Sequence, residues 1–196
     1  MKKYSGFTIE TAKSLLLNAG AYFKNYDVST DDFDSAVTAG KLIGATKGGG
    51  EFSAVPEIRQ IEVDGVAGRA KGLETIDSWD IYLKANVLEV KEATIQSGLA
   101  ASSVDSTTNT DYDIITASNN LEVSDYIDNI TWVGTLSGSD KPVIIQIFNA
   151  LNTEGLKFST TDKAEATISL TFYAHYTQDD LDTPPFKIYY PKVSKA

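Results

Sequence analysis

Catalysis and metal binding draw on few kinds of side chain, and two of them are nearly missing from this 196-residue chain: it has no cysteine and one histidine, His175. Thiolate nucleophiles, thiolate metal sites and disulfides are therefore excluded, and a two-histidine zinc site cannot form within one chain. His175 lies on the polar side of an alternating stretch, where a hydrogen-bonded surface or interface histidine is expected rather than a general base. Gly134-Thr135-Leu136-Ser137-Gly138 lacks the spacing of a serine nucleophile elbow. Gly40-Lys41 is followed by Leu42 instead of Ser or Thr and has no upstream glycine at the phosphate-loop position. Asp179-Asp180 with Asp182, and Asp111 with Asp113, offer carboxylates for weak calcium binding. Neither set has the glycine and distal glutamate of a calcium-binding hand, so solvated acidic loops are expected. Asn129-Ile130-Thr131 fits a glycosylation acceptor by pattern alone. The residues thus predict no enzyme, no cofactor and no metal.

Charge narrows the partners further. The 17 Lys and Arg stand against 27 Asp and Glu, a formal net charge of -10, so tight binding to phosphate backbones is disfavoured while nucleic acid that must slide past without sticking is repelled gently. The first apolar run, Leu15-Leu16-Leu17, is too short and too late for a signal-peptide core, and no stretch reaches the ~20 apolar residues of a membrane span. A protein made and used in soluble form, without a membrane partner, is the expectation. At this length, with 42% hydrophobic and 22% charged residues, a single domain over 1–196 is predicted, with no tandem repeat, low-complexity block or linker to divide it.

The elements that would position any site read mostly as strands. Ala166 to Tyr176 alternates, with Ile168, Leu170 and Phe172 on one parity and Ser169, Thr171 and Tyr173 on the other. Trp79, Ile81, Leu83, Ala85 and Val87 do the same until Leu88 and Val90 break parity, which predicts the strand's end or a bulge there. Ile130 to Leu136 alternates, and Val143 to Phe148 reads as a strand covered on both faces. Weaker strands are expected at Tyr22 to Val28, Lys41 to Thr46, Ile58 to Val63, Ile114 to Thr116 and Phe186 to Tyr190. Asp64-Gly65 suits a tight hairpin, and Gly48-Gly49-Gly50 suits a flexible or sharply turned tip. The best helix is Lys91 to Leu99; Ile9 to Asn18 either forms a second one under a Thr8 cap or lets Leu15 to Leu17 open a strand. Ser29 to Ala39 and Ala100 to Thr110 are expected as surface loops. The segment 184–196 is extended by its prolines and apolar by its rings, so it must lie on something.

Two features concern association. The 10 Tyr and 8 Phe exceed what cores already supplied with Ile, Leu and Val require; they serve interfaces or edge the sheets, and the sequence leaves both open. So many strands also present edges, which must be covered, blunted or shared between subunits, and sharing makes a polymer.

Gly44-Ala45-Thr46-Lys47-Gly48-Gly49-Gly50-Glu51-Phe52, then Pro56 to Gly65, then Lys71-Gly72, resembles the major tail proteins of long-tailed phages. Trp79 to Leu83, Ala85-Asn86-Val87-Leu88-Glu89, the short helix ending at Leu99, and Leu170 to Tyr176 followed by Pro185-Phe186 continue that likeness in the same order. The resemblance spans most of the chain and rests on the order of strands and turn residues, with no catalytic signature in it. It implies a mainly β tail-tube fold of two packed antiparallel sheets, as a sandwich or barrel, with one short flanking α-helix. It implies subunits that form hexameric rings stacked into a hollow tube, the conduit for DNA ejection. Implied partners are further copies of the chain, a tape measure protein in the lumen, and tail tip and tail terminator proteins, with DNA in transient passage. The implied location is the virion, after synthesis in the host cytoplasm.

Within that picture the segment 44–56 is expected to be an assembly arm that becomes ordered on a neighbour. Gly48, Gly49 and Gly50 make it costly to order alone, and Phe52 and Val55 offer apolar anchors. The competing expectation is an ordinary hairpin with its tip at Gly48 to Gly50 and Phe52 in its own core. At the level of function, the rivals are the tube protein of a contractile tail or phage-tail-like bacteriocin, and a carbohydrate- or calcium-binding β-sandwich marked by aromatics clustered on one concave face.

Overall fold

The strongest alternating segments become the centre of an antiparallel sheet. The computed structural model describes residues 4–192, so the last four residues of the segment 184–196 lie outside the described residues. Ten strands are seen in chain order: β1 (Leu16–Lys24), β2 (Thr46–Gln60), β3 (Glu74–Val87), β4 (Ser102–Asp105), β5 (Ile114–Ala117), β6 (Ile127–Leu136), β7 (Val143–Asn152), β8 (Lys157–Thr161), β9 (Ala164–Tyr173) and β10 (Phe186–Tyr189). Two short helices, α1 (Phe33–Thr38) and α2 (Glu92–Gly98), flank them. The main sheet runs β1-β6-β7-β9-β3-β2, with β10 on β7 and β8 on β9, while β4 and β5 form a small separate sheet.

The two expected layers come from one continuous sheet that folds over at β7. That strand pairs with β6 from Val143 to Ala150 and with β10 from Ile144 to Ile147, and then Leu151 and Asn152 cross to Tyr173 and Phe172 of β9. The ring almost closes, because Ile43 N–H donates to the Tyr22 carbonyl (2.9 Å) and Lys24 N–H to that of Lys41 (2.8 Å), tying the approach to β2 against β1. Between the layers Leu83, Val87, Ile147, Ile168, Leu170 and Phe172 pack together. Each large apolar side chain buried there contributes roughly 1.5–3 kcal/mol. The strand expected to be covered on both faces is so covered: Gln146 and Asn152 of β7 are buried, donating to the carbonyls of Tyr26 (2.7 Å) and Gly98 (3.3 Å).

Several local expectations need correction. Lys41 to Thr46 is no strand: Leu42 makes one bridge to Phe23, and β2 starts only at Thr46. The strand expected at Tyr22 to Val28 lies earlier, because Asn25 turns into the left-handed region (φ 53°) and ends β1. The loop expected at Ser29 to Ala39 contains α1. Asp32 accepts from Ser35 N–H and Ser35 Oγ accepts from Asp32 N–H, both at 2.8 Å, a reciprocal cap that nucleates one turn and buries Ala36. Likewise Ala100 to Thr110 contains β4, paired with β5. The N-terminal alternatives divide the segment between them: Ile9–Lys13 is a 3-10 turn after Thr8, and β1 opens at Leu16.

Gly48 to Gly50 is not a tip. Gly48 and Gly49 have φ of 80° and 70° inside β2, where the register steps from Thr46↔Val87 to Gly50↔Ala85, so the glycines form a bulge opposite Asn86. Gly50 is held to glycine by close approach: a Cβ there would lie 2.0 Å from the Lys84 carbonyl oxygen and 2.1 Å from the Tyr22 hydroxyl. That phenol is deep in the fold, and burial pushes its pKa up to about 12.

Candidate assembly surface

One apolar stripe runs the length of the β2–β3 hairpin and outlasts the core that covers it. The cross-strand pairs Phe52↔Leu83, Ala54↔Ile81 and Pro56↔Trp79 lie on the face turned toward the core. Phe186 of β10 caps this portion, its ring centroid 5.7 Å from that of Phe52 and 5.9 Å from that of Trp79. Past Trp79 the register steps at Asp77, so that Ile58 pairs with Ile76 and the stripe continues on the same face. There it meets solvent: Ile58 is 57% exposed and Ile76 52%. No third strand helps, because β9 pairs with β3 only from Tyr82 to Val87. Beyond Gln60 the loop 61–73 adds exposed Ile61, Val63 and Val66.

Polar contacts nevertheless hold this outer half in shape. The Arg59 guanidinium grips Asp77 through two hydrogen bonds, Nε at 2.7 Å and a terminal nitrogen at 3.1 Å, and this pairing raises the Arg59 pKa. Ser78 donates to Glu57 (2.8 Å), Gln60 to the Gly68 carbonyl (2.9 Å), and Ile61 N–H to the Leu73 carbonyl (2.7 Å). The turn at Asp64-Gly65 is closed by Val66 N–H on the Val63 carbonyl (3.1 Å), within a longer loop than the tight hairpin expected. A two-stranded ribbon is marginal on its own in water, and contiguous apolar side chains displayed on one are of the kind found at interaction sites.

The five residues singled out for an arm lie at the other end of the same strand. Gly48, Gly49 and Gly50 form the bulge, Phe52 packs against its own core and Phe186, and Val55 points to the opposite face, 56% exposed. In the structure, residues 46–56 are thus strand, paired with β3. Ile58, Ile61, Val63, Val66 and Ile76 were not foreseen as a group. Ile58 to Val63 reads as a strand and Asp64-Gly65 as a turn, but whether their apolar face is covered is decided by how far the facing layer, which meets Phe52 and Trp79 through Phe186, extends along the ribbon.

The residues with chemical types are occupied elsewhere. His175 Nδ1 lies 3.0 Å from the Asn149 carbonyl oxygen, with its ring edge-on to Tyr126, in a shallow pocket of about 270 Å³ that Asp128 and Asp180 also line. Asp180 accepts from Thr183 N–H (2.9 Å), which lowers its pKa. Ser137 donates to the Ala12 carbonyl (2.6 Å), Lys41 pairs with Asp31 (2.5 Å), and Asn129 Oδ1 accepts from Tyr26 N–H (3.0 Å). Among the described residues no three His, Asp or Glu side chains are grouped to hold a metal ion, and no helix is long and apolar enough to cross a membrane. The tyrosines divide: Tyr22 and Tyr26 are buried, the Tyr82 and Tyr173 rings meet tilted at 51° with centroids 5.6 Å apart on β3 and β9, and Tyr4, Tyr112 and Tyr190 are exposed. No protein-family model matches the chain, and no curated protein matches it significantly.

Proposed function

We propose that this chain is a structural subunit that polymerises, and specifically a tail tube protein: copies join as hexameric rings, the rings stack into a hollow tube, and DNA leaves a virion through it. The observation that carries the reading is the β2–β3 hairpin, which keeps its apolar stripe in register beyond the part that the facing layer and Phe186 cover. Another copy supplies that cover at the lowest cost, since burying this surface returns the hydrophobic contribution that the isolated subunit forgoes. The mainly β fold and the flanking helix agree with the resemblance in strand order and turn residues, and a net charge of -10 suits a wall past which a polyanion must slide. On this reading the protein is not an enzyme and needs no cofactor; its partners are its own copies, a tape measure protein within the lumen, and the proteins that start and end the tube. The segment 44–56 contributes as the root of the hairpin, paired with β3 and packed on the core through Phe52. Negative-stain microscopy of the purified protein across concentration tests this, with rings or tubes expected; a monomer at every concentration and with added tube ends overturns it.

A further inference from the structure

A groove of about 1090 Å³ opens on the far side of the fold from the β2–β3 stripe's core contacts. Its floor is a row across the sheet, Ala21, Val133, Ile144 and Tyr189, which are successive cross-strand partners on β1, β6, β7 and β10. One boundary is the start of α1, where Asp32 and Phe33 stand; Lys141 of the β6–β7 turn and Lys192 beyond β10 form another. An apolar floor beside two carboxylates, Asp31 paired with Lys41 and Asp32 capping α1, and two ammonium groups asks for an occupant that is apolar in the middle and carries both signs of charge.

The loop 61–73 has that composition. Its outgoing limb carries Glu62 and Asp64, its returning limb Arg69 and Lys71, and Ile61, Val63 and Val66 are exposed between them. None of these four charges makes an ion pair among the described residues. The chain has only two arginines, and both, Arg59 and Arg69, are on this hairpin; Arg59 is spent on Asp77, which leaves Arg69 for a carboxylate elsewhere. We infer that the groove receives the hairpin loop of a second copy, with Val63 and Val66 on the apolar floor, Arg69 and Lys71 toward Asp32, and Glu62 and Asp64 toward Lys141 and Lys192. The inference rests on the proposed self-association and names its contact. Because tip and groove are different surfaces of one chain, the contact is head-to-tail, and each copy that docks presents a fresh tip and a fresh groove. Opposed charges at both walls fix the direction in which the loop enters.

The chain's lack of cysteine makes the test clean. Val63→Cys at the tip is mixed with Thr135→Cys in the groove under mild oxidation, with Val63→Cys plus Ser159→Cys on β8 as the control. Docking raises the local thiol concentration, so the tip–groove pair should give on the order of tenfold more mixed disulfide than the control, and Arg69→Glu with Lys71→Glu in the tip partner should abolish the excess. Equal yields in samples that microscopy shows to be assembled overturn the groove as acceptor and leave self-association standing. Samples that never assemble and never cross-link overturn both.

Discussion

The two halves of the β2–β3 hairpin follow the same rules of strand pairing and meet opposite fates. In the inner half Leu83 is 1% exposed and Val87 is fully buried, because the facing layer, with Ile130 of β6 and Ile147 of β7, packs on the same cluster. In the outer half the same face carries Ile58 and Ile76 with no cover from the chain itself. Alternation specifies which side chains share a face, and the reach of the facing layer decides whether that face is a core or an open surface. The same residue types therefore stabilise the subunit in one half and, on the proposed reading, the polymer in the other.

The largest contrast should appear in subunit stability. Phe172→Ala in β9 removes a fully buried ring from the inner half and is expected to cost about 3–5 kcal/mol in urea unfolding, with assembly lost only because the subunit is lost. Gly50→Ala forces a methyl group onto the Lys84 carbonyl and the Tyr22 hydroxyl. A loss of about 3 kcal/mol is expected from that overpacking; an unchanged unfolding midpoint would show that the bulge relaxes freely. Phe52→Ser, in the inner half, should lose about 2 kcal/mol, since Phe52 is half-buried against Phe186. Unchanged stability there would return the segment 44–56 to the role of a free arm.

How much of this was legible in the sequence follows from the same contrast. The parity of Ile81 to Val87 and of Ile168 to Phe172 marked the core strands, and the break after Val87 marked their end. The helix under Asp32 was written as a reciprocal cap of Asp32 and Ser35 and was missed, because three aspartates in a short span read as a solvated loop. The glycines at 48–50 signalled unusual backbone correctly, but a bulge and a turn tip require the same φ, and only pairing separates them. The outer hairpin was missed as a surface for a different reason: Ile58, Val63 and Ile76 look like ordinary strand residues, and the missing cover is a property of the facing layer.

A smaller effect sets acid against the segment between β1 and α1 rather than the hairpin. Asp27, Asp31 and Asp32 all have lowered pKa values: backbone N–H donation from Ser29 dominates at Asp27, Lys41 at Asp31, and the Ser35 N–H at Asp32. A carboxylate whose folded pKa is depressed contributes stability above its unfolded value, near 4, and loses it as pH falls through the folded value. The melting temperature should therefore fall as the pH drops below about 4, and Asp32→Asn should flatten part of that fall. An identical pH profile in the variant would separate the α1 cap from acid stability.

The most direct measurement of the central claim compares the wild-type chain with Ile58→Ser/Ile76→Ser, following unfolding by urea and association by light scattering with microscopy of the same samples. The account predicts a subunit stability within about 0.5 kcal/mol of wild type, as for surface substitutions, together with loss of rings and tubes. Rings and tubes that form normally in the double variant, or a loss of several kcal/mol in the isolated subunit, would contradict it.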